Sequence, residues 1–386
     1  MKKVAIITSG SLKQFGGAER HIISLTENLK GYYITVFYNF EKSYSTRSNL
    51  VSRPILKKAE IFNYNVYKIP LSEDRIPLTI SGIKMLLRLR NYDVIYNVDA
   101  STTINLFLII ASKLFRNKYI FVTEDPAFLR DAPIRKGYVV RLLFKLYKNF
   151  RNFTFKHIPI IQVLDQDDKK ILERIGYKNK IYTIPNFTTV DMRNLNKIEG
   201  AKKKKKFVVL FVGRLIKFHK GIDFLEQIIP ASLKKTDNLM FHIVGRGELE
   251  SEKIIKRLSR RYPDNVKWLK FVSDKKLNRE YLYSDLLIQT SRFEGVSLVS
   301  IEAVSHGLPI IGFDVKGVRG VVKKLNSGRL ITPFMIEDFV KAILNYNSFY
   351  NESFKKYITL RKIILLNANK YYTKDVVLKK INNMFK

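Results

Sequence analysis

Short apolar runs alternate along the chain with longer segments whose apolar residues recur every three or four positions. Apolar runs of about four to eight residues that are bounded by polar residues or glycine are typical of buried strands. Such runs lie at 3–9, 33–38, 66–69, 94–97, 119–123, 159–164, 207–212, 241–244, 266–272, 286–288 and 309–313. Helical spacing fills the intervals, as at Ile22, Leu25 and Leu29. The alternation predicts an α/β fold built on doubly wound parallel sheets.

A polar stretch near the middle divides the chain. Asn194 to Lys206 ends in five consecutive lysines, and so dense a block of like charges is not expected to pack. We interpret it as a linker between a domain at 1–195 and a domain at 206–365, and we expect residues 336–386 to be helical. At 386 residues, 46% of them hydrophobic, the chain is long enough for two cores.

The charge of the chain is strongly unbalanced, with Lys+Arg 70 against Asp+Glu 34 and a net charge of +36. Such a field attracts phosphate-bearing substrates, anionic lipid headgroups or nucleic acid. A lysine-rich composition that is simply spread over a solvated surface is the alternative, and it requires no partner. Of these partners we expect an anionic membrane surface, and nucleic acid is the least favoured.

Cysteine and long apolar segments are both missing from the sequence. Without cysteine the chain forms no disulfide, thiolate metal site or thiol nucleophile. Its longest apolar run, Ile104 to Ala111, is far shorter than the roughly 18 residues that span a bilayer. The apolar part of the N-terminal MKKVAIITSG is too short for a signal peptide. We expect a cytoplasmic protein, either soluble or peripheral at the inner face of the cell membrane.

The segment Ala132 to Lys156 carries two stripes at helical spacing. An interfacial helix that lies among lipid headgroups has this combination of apolar and basic faces. A core helix with a cationic solvated side has it as well, so both interpretations stay open. The apolar stripe comprises Val139, Leu142, Leu146, Phe150 and Phe153, and the basic stripe comprises Arg141, Lys145 and Lys148.

The most informative stretch is SRFEGVSLVSIEAVSHG, from Ser291 to Gly307. It joins a predicted strand to a predicted helix, and Ser297 is placed to cap that helix. In an open α/β sheet this junction favours an anion, because the amides of Ser297, Leu298 and Val299 point into it. Two carboxylates, Glu294 and Glu302, flank it with seven residues between them.

A phosphate-binding site does not require carboxylates. We therefore expect Glu294 and Glu302 to face neutral hydroxyl groups of the same ligand. A ligand that carries both phosphate and many hydroxyls is a sugar nucleotide. The alternative is an ordinary turn between strand and helix with two solvated acids. A short motif of this kind is a hypothesis until its structural context is known.

The spacing of Glu294 and Glu302 resembles the E-x7-E signature of the retaining GT-B glycosyltransferases of family 4, the glycosyl transferases group 1. This resemblance implies two Rossmann-like domains that face each other across a cleft, with the nucleotide sugar held mostly by the second. It also implies that Glu294 contacts the donor sugar, that Glu302 holds the nucleotide ribose, and that the anomeric configuration is retained.

Two cations bracket the loop VGRLIKFHKGID, at the carboxyl edge of a predicted strand. Arg214 and Lys220 are suited there to charge-assisted bonds with a diphosphate, although one basic loop residue alone would indicate little. The pair is similar to the family's GR…KG motif, which implies that both bind the donor diphosphate. Gly245 lies in a second strand-to-glycine loop similar to the family's VGxGP, and residues 309–313 with Gly317 resemble its closing PVI…GG.

The first half of the chain resembles the family less closely. Gly16 and Gly17 lie in a GGAER loop like that of the family, which lines the cleft near the donor phosphate. Glu124 stands where family members commonly have a histidine close to the reacting sugar, so it either contacts the sugar or acceptor or belongs to an ordinary loop. Relatives send their final helix back onto the first domain, which implies the same of 366–386, with Tyr371 and Tyr372 as its anchor.

A second acidic motif, Asp165-Gln166-Asp167-Asp168, has the DxD spacing by which another glycosyltransferase fold holds a metal–diphosphate complex. Here it opens a predicted helix, where acids cap the first turn and interact favourably with the helix dipole. We therefore predict no metal and no cofactor beyond the nucleotide-sugar substrate.

Taken with the resemblance, these features predict a retaining hexosyltransferase. It would move a sugar from a UDP- or GDP-sugar to a glycan or lipid-linked acceptor in glycan biosynthesis, without a metal. A nucleotide-sugar epimerase on a similar scaffold and a non-catalytic polyanion-binding protein are the alternatives, because a fold alone does not choose among them.

Overall fold

A computed structural model describes residues 1–8, 17–39, 59–64, 66–68, 75–123, 138–188 and 191–386. The chain forms two compact units. The first comprises Met1–Pro185 together with Leu378–Lys386, and the second comprises Asn186–Val377. Among the helices of the described residues, none is both long enough and apolar enough to cross a membrane.

The first unit is built on a parallel sheet of seven strands in the order β3-β2-β1-β6-β7-β8-β9. Two short strands, β4 and β5, pair separately and antiparallel. The strands are β1 (Lys2–Thr8), β2 (Tyr32–Asn39), β3 (Glu60–Tyr64), β4 (Tyr67–Lys68), β5 (Arg75–Ile76), β6 (Val94–Asn97), β7 (Lys118–Thr123), β8 (Ile160–Val163) and β9 (Lys180–Thr183).

Helices connect the strands of this sheet, and four of them share one apolar core. Met85, Ile104, Phe155 and Leu172 come from four successive segments and pack together with strand residues such as Phe121. Because right-handed crossovers toward the same edge place their helices on one face, α2 to α5 cover the same side of the sheet. The helices are α1 (Gly17–Asn28), α2 (Ile80–Arg88, continued by a 3-10 turn at Leu89–Asn91), α3 (Thr102–Phe115), α4 (Tyr138–Lys156) and α5 (Gln166–Arg174).

The second unit is built on a parallel sheet of six strands in the order β12-β11-β10-β13-β14-β15. Its central strands are buried throughout, which explains their continuous apolar sequences. The strands are β10 (Phe207–Val212), β11 (Leu239–Val244), β12 (Val266–Lys270), β13 (Leu286–Gln289), β14 (Ile310–Phe313) and β15 (Gly328–Ile331).

Ten helices complete the described chain. Two apolar clusters, which include Phe241 and Phe339 on one hand and Leu287 and Ile364 on the other, fill the second unit. The helices are α6 (Asn194–Glu199), α7 (Lys217–Lys220), α8 (Ile222–Leu233), α9 (Leu249–Arg261), α10 (Asp274–Tyr283), α11 (Leu298–Val304), α12 (Lys316–Leu325), α13 (Ile336–Glu352), α14 (Phe354–Tyr372) and α15 (Lys374–Phe385). Both sheets are thus of the doubly wound α/β type that the sequence predicts.

The interpretation of Asn194–Lys206 as a linker that does not pack is wrong. The stretch belongs to the second unit and begins with α6. Its lysines separate toward different acceptors: Nζ of Lys203 donates to the Asn351 carbonyl at 2.7 Å, and Nζ of Lys204 lies 2.7 Å from Oδ2 of Asp285. Because the ammonium groups of Lys203, Lys204 and Lys206 each have their own oxygen partner, the mutual repulsion does not keep the segment off the surface.

The buried charges of the second unit form a cluster around Asp285, which is 3% exposed at its side chain. One carboxylate oxygen accepts from Nζ of Lys204 and from the Val208 amide, the latter at 2.8 Å. The guanidinium of Arg361, also buried, donates to the backbone carbonyls of Ser284 and Gly307 at 3.0 and 3.1 Å. Burial raises the pKa of Asp285 and lowers that of Lys204, and their attraction opposes both shifts. The cluster ties β10, β13 and α14 together.

The last residues of the chain return to the first unit. The Phe385 ring is buried there and packs edge-on against Tyr32 and Tyr96, with ring centroids 5.6 Å apart in each pair. Tyr372, in contrast, belongs to the apolar core of the second unit. The ring of Phe385 is therefore the aromatic contact of this segment with the first unit, whereas the tyrosine pair suggested for that role lies in the other unit.

Candidate functional site

The carboxyl edge of the second sheet brings together loops that are distant in sequence. The strand order reverses between β10 and β13, which pair through Val209 and Leu286. Ligands of open α/β sheets bind at such a switch point. The segment Gly213–Lys220 follows β10 and the turn Ser291–Glu294 follows β13, so the reversal places both beside the same crevice.

The centre of this edge is an ion pair between Lys220 and Glu294. Nζ of Lys220 donates to Oε1 of Glu294, and Oγ of Ser291 donates to the same oxygen at 2.7 Å. Both charged side chains are largely shielded, at 13% and 8% exposed. Burial of a carboxylate is costly unless it accepts hydrogen bonds, and these two donors also fix its orientation. An anion that approached Lys220 would compete with Glu294 for the ammonium group.

The turn that carries Glu294 is held from the other side by α12. The Gly317 amide donates to the Glu294 carbonyl at 3.1 Å. A Cβ atom at Gly317 would lie 2.9 Å from both Cβ of Glu294 and the Gly295 carbonyl oxygen, closer than such atoms approach. Glycine is therefore required at 317 by the close passage of this turn, which gives a physical reason for the closing motif.

His219 flanks the pair. Its Nε2 lies 3.9 Å from Oε2 of Glu294, and its ring stacks on Phe293 with centroids 4.4 Å apart. Burial lowers the pKa of His219, and the charges of Lys220 and Arg214 lower it further against the opposing effect of Glu294. The imidazole is thus neutral at pH 7, so the positive charge of this loop comes from Lys220 and from Arg214 and Lys217, whose side chains are exposed.

The second predicted carboxylate, Glu302, lies on α11. Ser297 caps this helix as the sequence predicts, with its Oγ accepting from the Ser300 amide at 3.1 Å and from Nε2 of Gln289 at 2.7 Å. Leu298 and Val299 form the first turn, where amides have no acceptor within the helix. Glu302 follows one turn later.

A buried tyrosine fixes Glu302. The Tyr281 hydroxyl, on α10, donates to Oε2 of Glu302 at 2.7 Å, and the Tyr281 side chain has no exposed surface. Its ring stacks on His306 with centroids 5.2 Å apart, and the His306 ring contacts the Glu302 carbonyl through Nδ1 at 2.7 Å. Sequence reasoning missed Tyr281, because nothing in the pattern around it distinguishes it from an ordinary core tyrosine.

His306 makes stability depend on pH. Burial lowers its pKa below the ordinary value of 6.5, and Arg361 lowers it further although the hydrogen bond to the Glu302 carbonyl opposes this. As the pH falls through about 6.5 the unfolded chain therefore binds more protons than the native one. We expect the free energy of unfolding to decrease from that pH downward and to level off below the native pKa.

This expectation is checked by chemical denaturation of the protein and of His306→Gln between about pH 8 and pH 5. The free energy of unfolding of the variant should decrease less over this range. The decrease that the variant still shows includes the contribution of His219, whose pKa is also lowered. An identical pH dependence in the two proteins would contradict the assignment.

The remaining predicted site residues are distributed as follows. Gly245 directly follows β11, where its amide donates to the Lys270 carbonyl at 2.8 Å and its carbonyl accepts from Nε1 of Trp268 at 3.0 Å. Gly17 begins α1 in the first unit. Gly16 and Glu124 lie outside the described residues. Arg214, Lys220, Gly245, Glu294, Ser297, Leu298, Val299 and Glu302 all lie beyond the carboxyl ends of the second sheet.

The DxD-like segment caps a helix, as its context predicts. Oδ1 of Asp165 accepts from the Asp168 amide at 2.8 Å at the start of α5. Within the described part of the chain, no three acidic or histidine side chains cluster in a way that would hold a metal ion.

Two doubly wound parallel sheets, here of seven and six strands, are the architecture of the GT-B class of glycosyltransferases. Residues 192–356 match the family described as Glycosyl transferases group 1. The chain therefore carries a domain of this family and is a glycosyltransferase. The match includes Arg214, Lys220, Glu294 and Glu302.

One curated relative and two solved structures illustrate matches that extend over nearly the whole of both chains. The amylovoran biosynthesis glycosyltransferase AmsD of Erwinia amylovora is 26% identical over 349 residues, which cover 89% of this chain and 90% of AmsD. HepE of Anabaena in complex with UDP has a TM-score of 0.71 at 18% identity, covering 99% of both chains. The lipopolysaccharide outer core galactosyltransferase WaaB has a TM-score of 0.69 at 20% identity, covering 99% of this chain and 98% of WaaB. These structures share the fold.

Proposed function

We propose that this glycosyltransferase belongs to family 4 and transfers a hexose from a nucleotide-diphosphate donor to a glycan or lipid-linked acceptor, with retention of the anomeric configuration and without a metal. The observation that carries the proposal is the shielded pair of Lys220 and Glu294 at the sheet's switch point. It combines a cation suited to a diphosphate with a carboxylate suited to sugar hydroxyls.

The chemistry assigns a role to each of these groups. The acceptor oxygen bonds to the anomeric carbon, the bond from that carbon to the phosphate oxygen breaks, and the acceptor proton passes to the departing phosphate on the same face. Because negative charge builds on the diphosphate, Lys220 and Arg214 stabilise the transition state more than the ground state. Glu294 orients the sugar hydroxyls and Glu302 accepts hydrogen bonds from the ribose.

A UDP-sugar is the favoured donor, ahead of a GDP-sugar. HepE has been determined with UDP and with UDP-glucose, and a matching Streptococcus parasanguinis protein is named as a UDP-N-acetylglucosamine–peptide transferase subunit. The names of AmsD and WaaB, which refer to amylovoran biosynthesis and to the lipopolysaccharide outer core, support a glycan or lipid-linked acceptor. We place the protein in the cytoplasm, at the anionic inner face of the cell membrane. Gly16, Gly17 and Glu124 stay predicted contacts.

Thermal shift against UDP-, GDP- and ADP-sugars tests the proposal, since a ligand that binds the native state raises its stability. A rise in melting temperature with both a UDP-sugar and UDP supports the transferase. An NMR time course without acceptor should then show that the sugar of the donor is not converted into another sugar. Conversion of the nucleotide sugar in the absence of an acceptor would indicate the epimerase. Salt-sensitive nucleic-acid binding without any nucleotide effect would indicate the polyanion-binding protein.

Tyr281→Phe tests the assignment of Glu302 to the ribose. Loss of the hydroxyl releases the carboxylate, and a hydrogen bond to a charged group is worth enough to weaken nucleotide binding by about tenfold. We expect a higher KM for the donor with little change in kcat, measured together with the Kd for UDP by calorimetry, and Glu302→Ala should weaken binding at least as much. Tyr283→Phe, an exposed neighbour on the same helix, is the control, and equal behaviour of the two tyrosine variants would contradict the assignment.

A further inference from the structure

Three phenylalanine rings are exposed at the carboxyl edge of the second sheet. Phe218 belongs to α7, two positions before Lys220, and is 72% exposed. Phe293 directly precedes Glu294 and is 51% exposed, and Phe334, in the turn that joins β15 to α13, is 54% exposed. We call these three side chains the aromatic rim. Single exposed apolar residues are ordinary on a protein surface, whereas a cluster of them marks a contact site, which lies here beside the candidate donor site.

Arg292 joins the parts of the rim. Its guanidinium carbon lies 4.2 Å from the centre of the buried Phe224 ring and 6.0 Å from the centres of the Phe218 and Phe334 rings. The same group donates to both carboxylate oxygens of Asp223, at 2.9 and 2.6 Å. A bidentate pair fixes the plane of a guanidinium, so the exposed rings rest on a support that is already in place.

The rim continues into the candidate donor site through His219. The Phe293 ring stacks on the imidazole with an angle of 11° between the two planes, and the centre of the Phe218 ring lies 6.0 Å from that of Phe293. Nε2 of the same imidazole is 3.9 Å from the Glu294 carboxylate. Because the imidazole is neutral at pH 7, it supports Phe293 as an aromatic ring and adds no charge. A molecule that covered the rim would therefore lie next to Glu294.

The third ring of the rim is held in a strained backbone conformation. Phe334 has a φ of 72°, in the left-handed region that bulky residues rarely adopt. Stacking of its ring on Phe224, with centroids 5.5 Å apart, offsets part of the strain, but glycine would adopt the same conformation without cost. Strain of this kind is concentrated at ligand sites. An exposed ring kept at such a position supports a binding role for the rim.

The setting of these rings favours a carbohydrate over other occupants. One face of a pyranose ring consists of C–H groups, which bury well against an aromatic ring, while its hydroxyls need a polar surrounding. The rim offers both, because the Arg292 guanidinium lies between its rings and the His219 imidazole lies against one of them. A lipid chain suits a continuous apolar surface instead. A second copy of the chain would oppose the exposed cations Arg214 and Lys217 to the same cations.

We propose that the aromatic rim binds a sugar residue of the acceptor by stacking. The C–H face of the sugar covers the rings of Phe218 and Phe293, and Phe334 provides a third apolar contact. This inference rests on the proposed function, in which Glu294 orients the donor sugar. Because His219 links Phe293 to Glu294, the acceptor sugar is held beside the donor sugar, as transfer between them requires. The acceptor is thus a glycan or glycolipid whose carbohydrate is recognised by the second unit.

The test is saturation-transfer NMR of the full chain, with and without UDP, using the methyl glycosides of glucose, galactose and N-acetylglucosamine as probes. We expect transfer to the C–H protons of at least one probe, lowered at least about fivefold in Phe218→Ala/Phe293→Ala. Phe218→Ala alone keeps the stacking of Phe293 on His219 and should still lower the transfer by at least about threefold. Tyr283→Ala is the matched control, because Tyr283 is an aromatic residue of the same unit and is 53% exposed. It should behave like the unchanged protein.

Two further measurements keep the outcomes distinct. Circular dichroism verifies that the variants are folded, and a thermal shift with UDP that persists in Phe218→Ala/Phe293→Ala separates the rim from nucleotide binding. Absence of that shift in the unchanged protein would contradict the proposed function, whereas the sugar signal tests the rim by itself. Absence of transfer to every sugar probe, or equal transfer in the double variant, would overturn the proposal. Transfer to geranyl phosphate but not to the sugars, lost in the double variant, would overturn it in favour of a site for a lipid chain.

Discussion

Lys220→Met is expected to lower kcat for sugar transfer by about two to three orders of magnitude. The side chain is shielded, and it faces Glu294 in a pair whose partners are separated by 74 positions in the sequence. In the reaction its ammonium group would stabilise negative charge that develops on the departing diphosphate, and such an interaction gains strength in the transition state. The measurement is steady-state transfer from a UDP-sugar, with kcat and KM determined separately.

Lys217→Met provides the control for this effect. Lys217 lies on the same short helix, and its side chain is exposed rather than turned to Glu294. The substitution Lys217→Met removes the same charge from the same loop. It should change kcat by less than about threefold, since an exposed charge is screened. Equal losses in the two variants would show that Lys220 contributes only to the general field. A loss confined to KM would show that it binds substrate and transition state equally.

Asp285→Ala is expected to lower the free energy of unfolding by about 3–5 kcal/mol. The carboxylate accepts from Lys204 and from the Val208 amide, and its backbone carbonyl accepts from the Tyr357 hydroxyl. Without it the Lys204 ammonium and the nearby Arg361 guanidinium lose the negative charge that balances them in the interior. Urea denaturation of the two proteins at pH 7 measures the difference.

Glu199→Ala is the matched comparison for the buried cluster. Glu199 forms an ion pair with Lys362 at 2.5 Å, but both side chains are substantially exposed, and exposed pairs contribute about 0–1 kcal/mol. The loss in free energy of unfolding for Asp285→Asn should lie between these two values, because the amide oxygen still accepts from the Val208 amide while the negative charge is lost. A loss below about 1 kcal/mol in Asp285→Ala would contradict the role given to burial.

The sequence predicts the central strands well but misses three of the four strands at sheet edges, since among these only β12 lies in a predicted run. β10 and β13 are buried along their length and appear as apolar runs. β3 and β15 lie at sheet edges and β9 is only half-buried. Their sequences, such as KIYT and GRLI, mix polar and apolar residues because one side or end faces solvent. The hydrophobic pattern alone does not mark such strands.

The candidate site shows the same division between local and distant information. The Ser297 cap is readable because it depends on neighbours in sequence. The pairing of Lys220 with Glu294 depends on the reversal of strand order, so the sequence indicates each residue separately but does not predict their contact. The Tyr281 contact and the close passage of Gly317 depend on how helices pack. The packing of Lys203 and Lys204 is not visible in the sequence, because their acceptors, the Asn351 carbonyl and Asp285, come from remote segments.

The return of the chain to the first unit has a consequence for biosynthesis. Phe385 is synthesised long after its neighbours Tyr32 and Tyr96. The rings of these two tyrosines therefore lack their contact with Phe385 until residue 385 has been translated. Premature termination anywhere in the second unit therefore damages the first as well. Nascent fragments that lack the tail should be substrates for chaperones and proteases, which links quality control of both halves to a single late event.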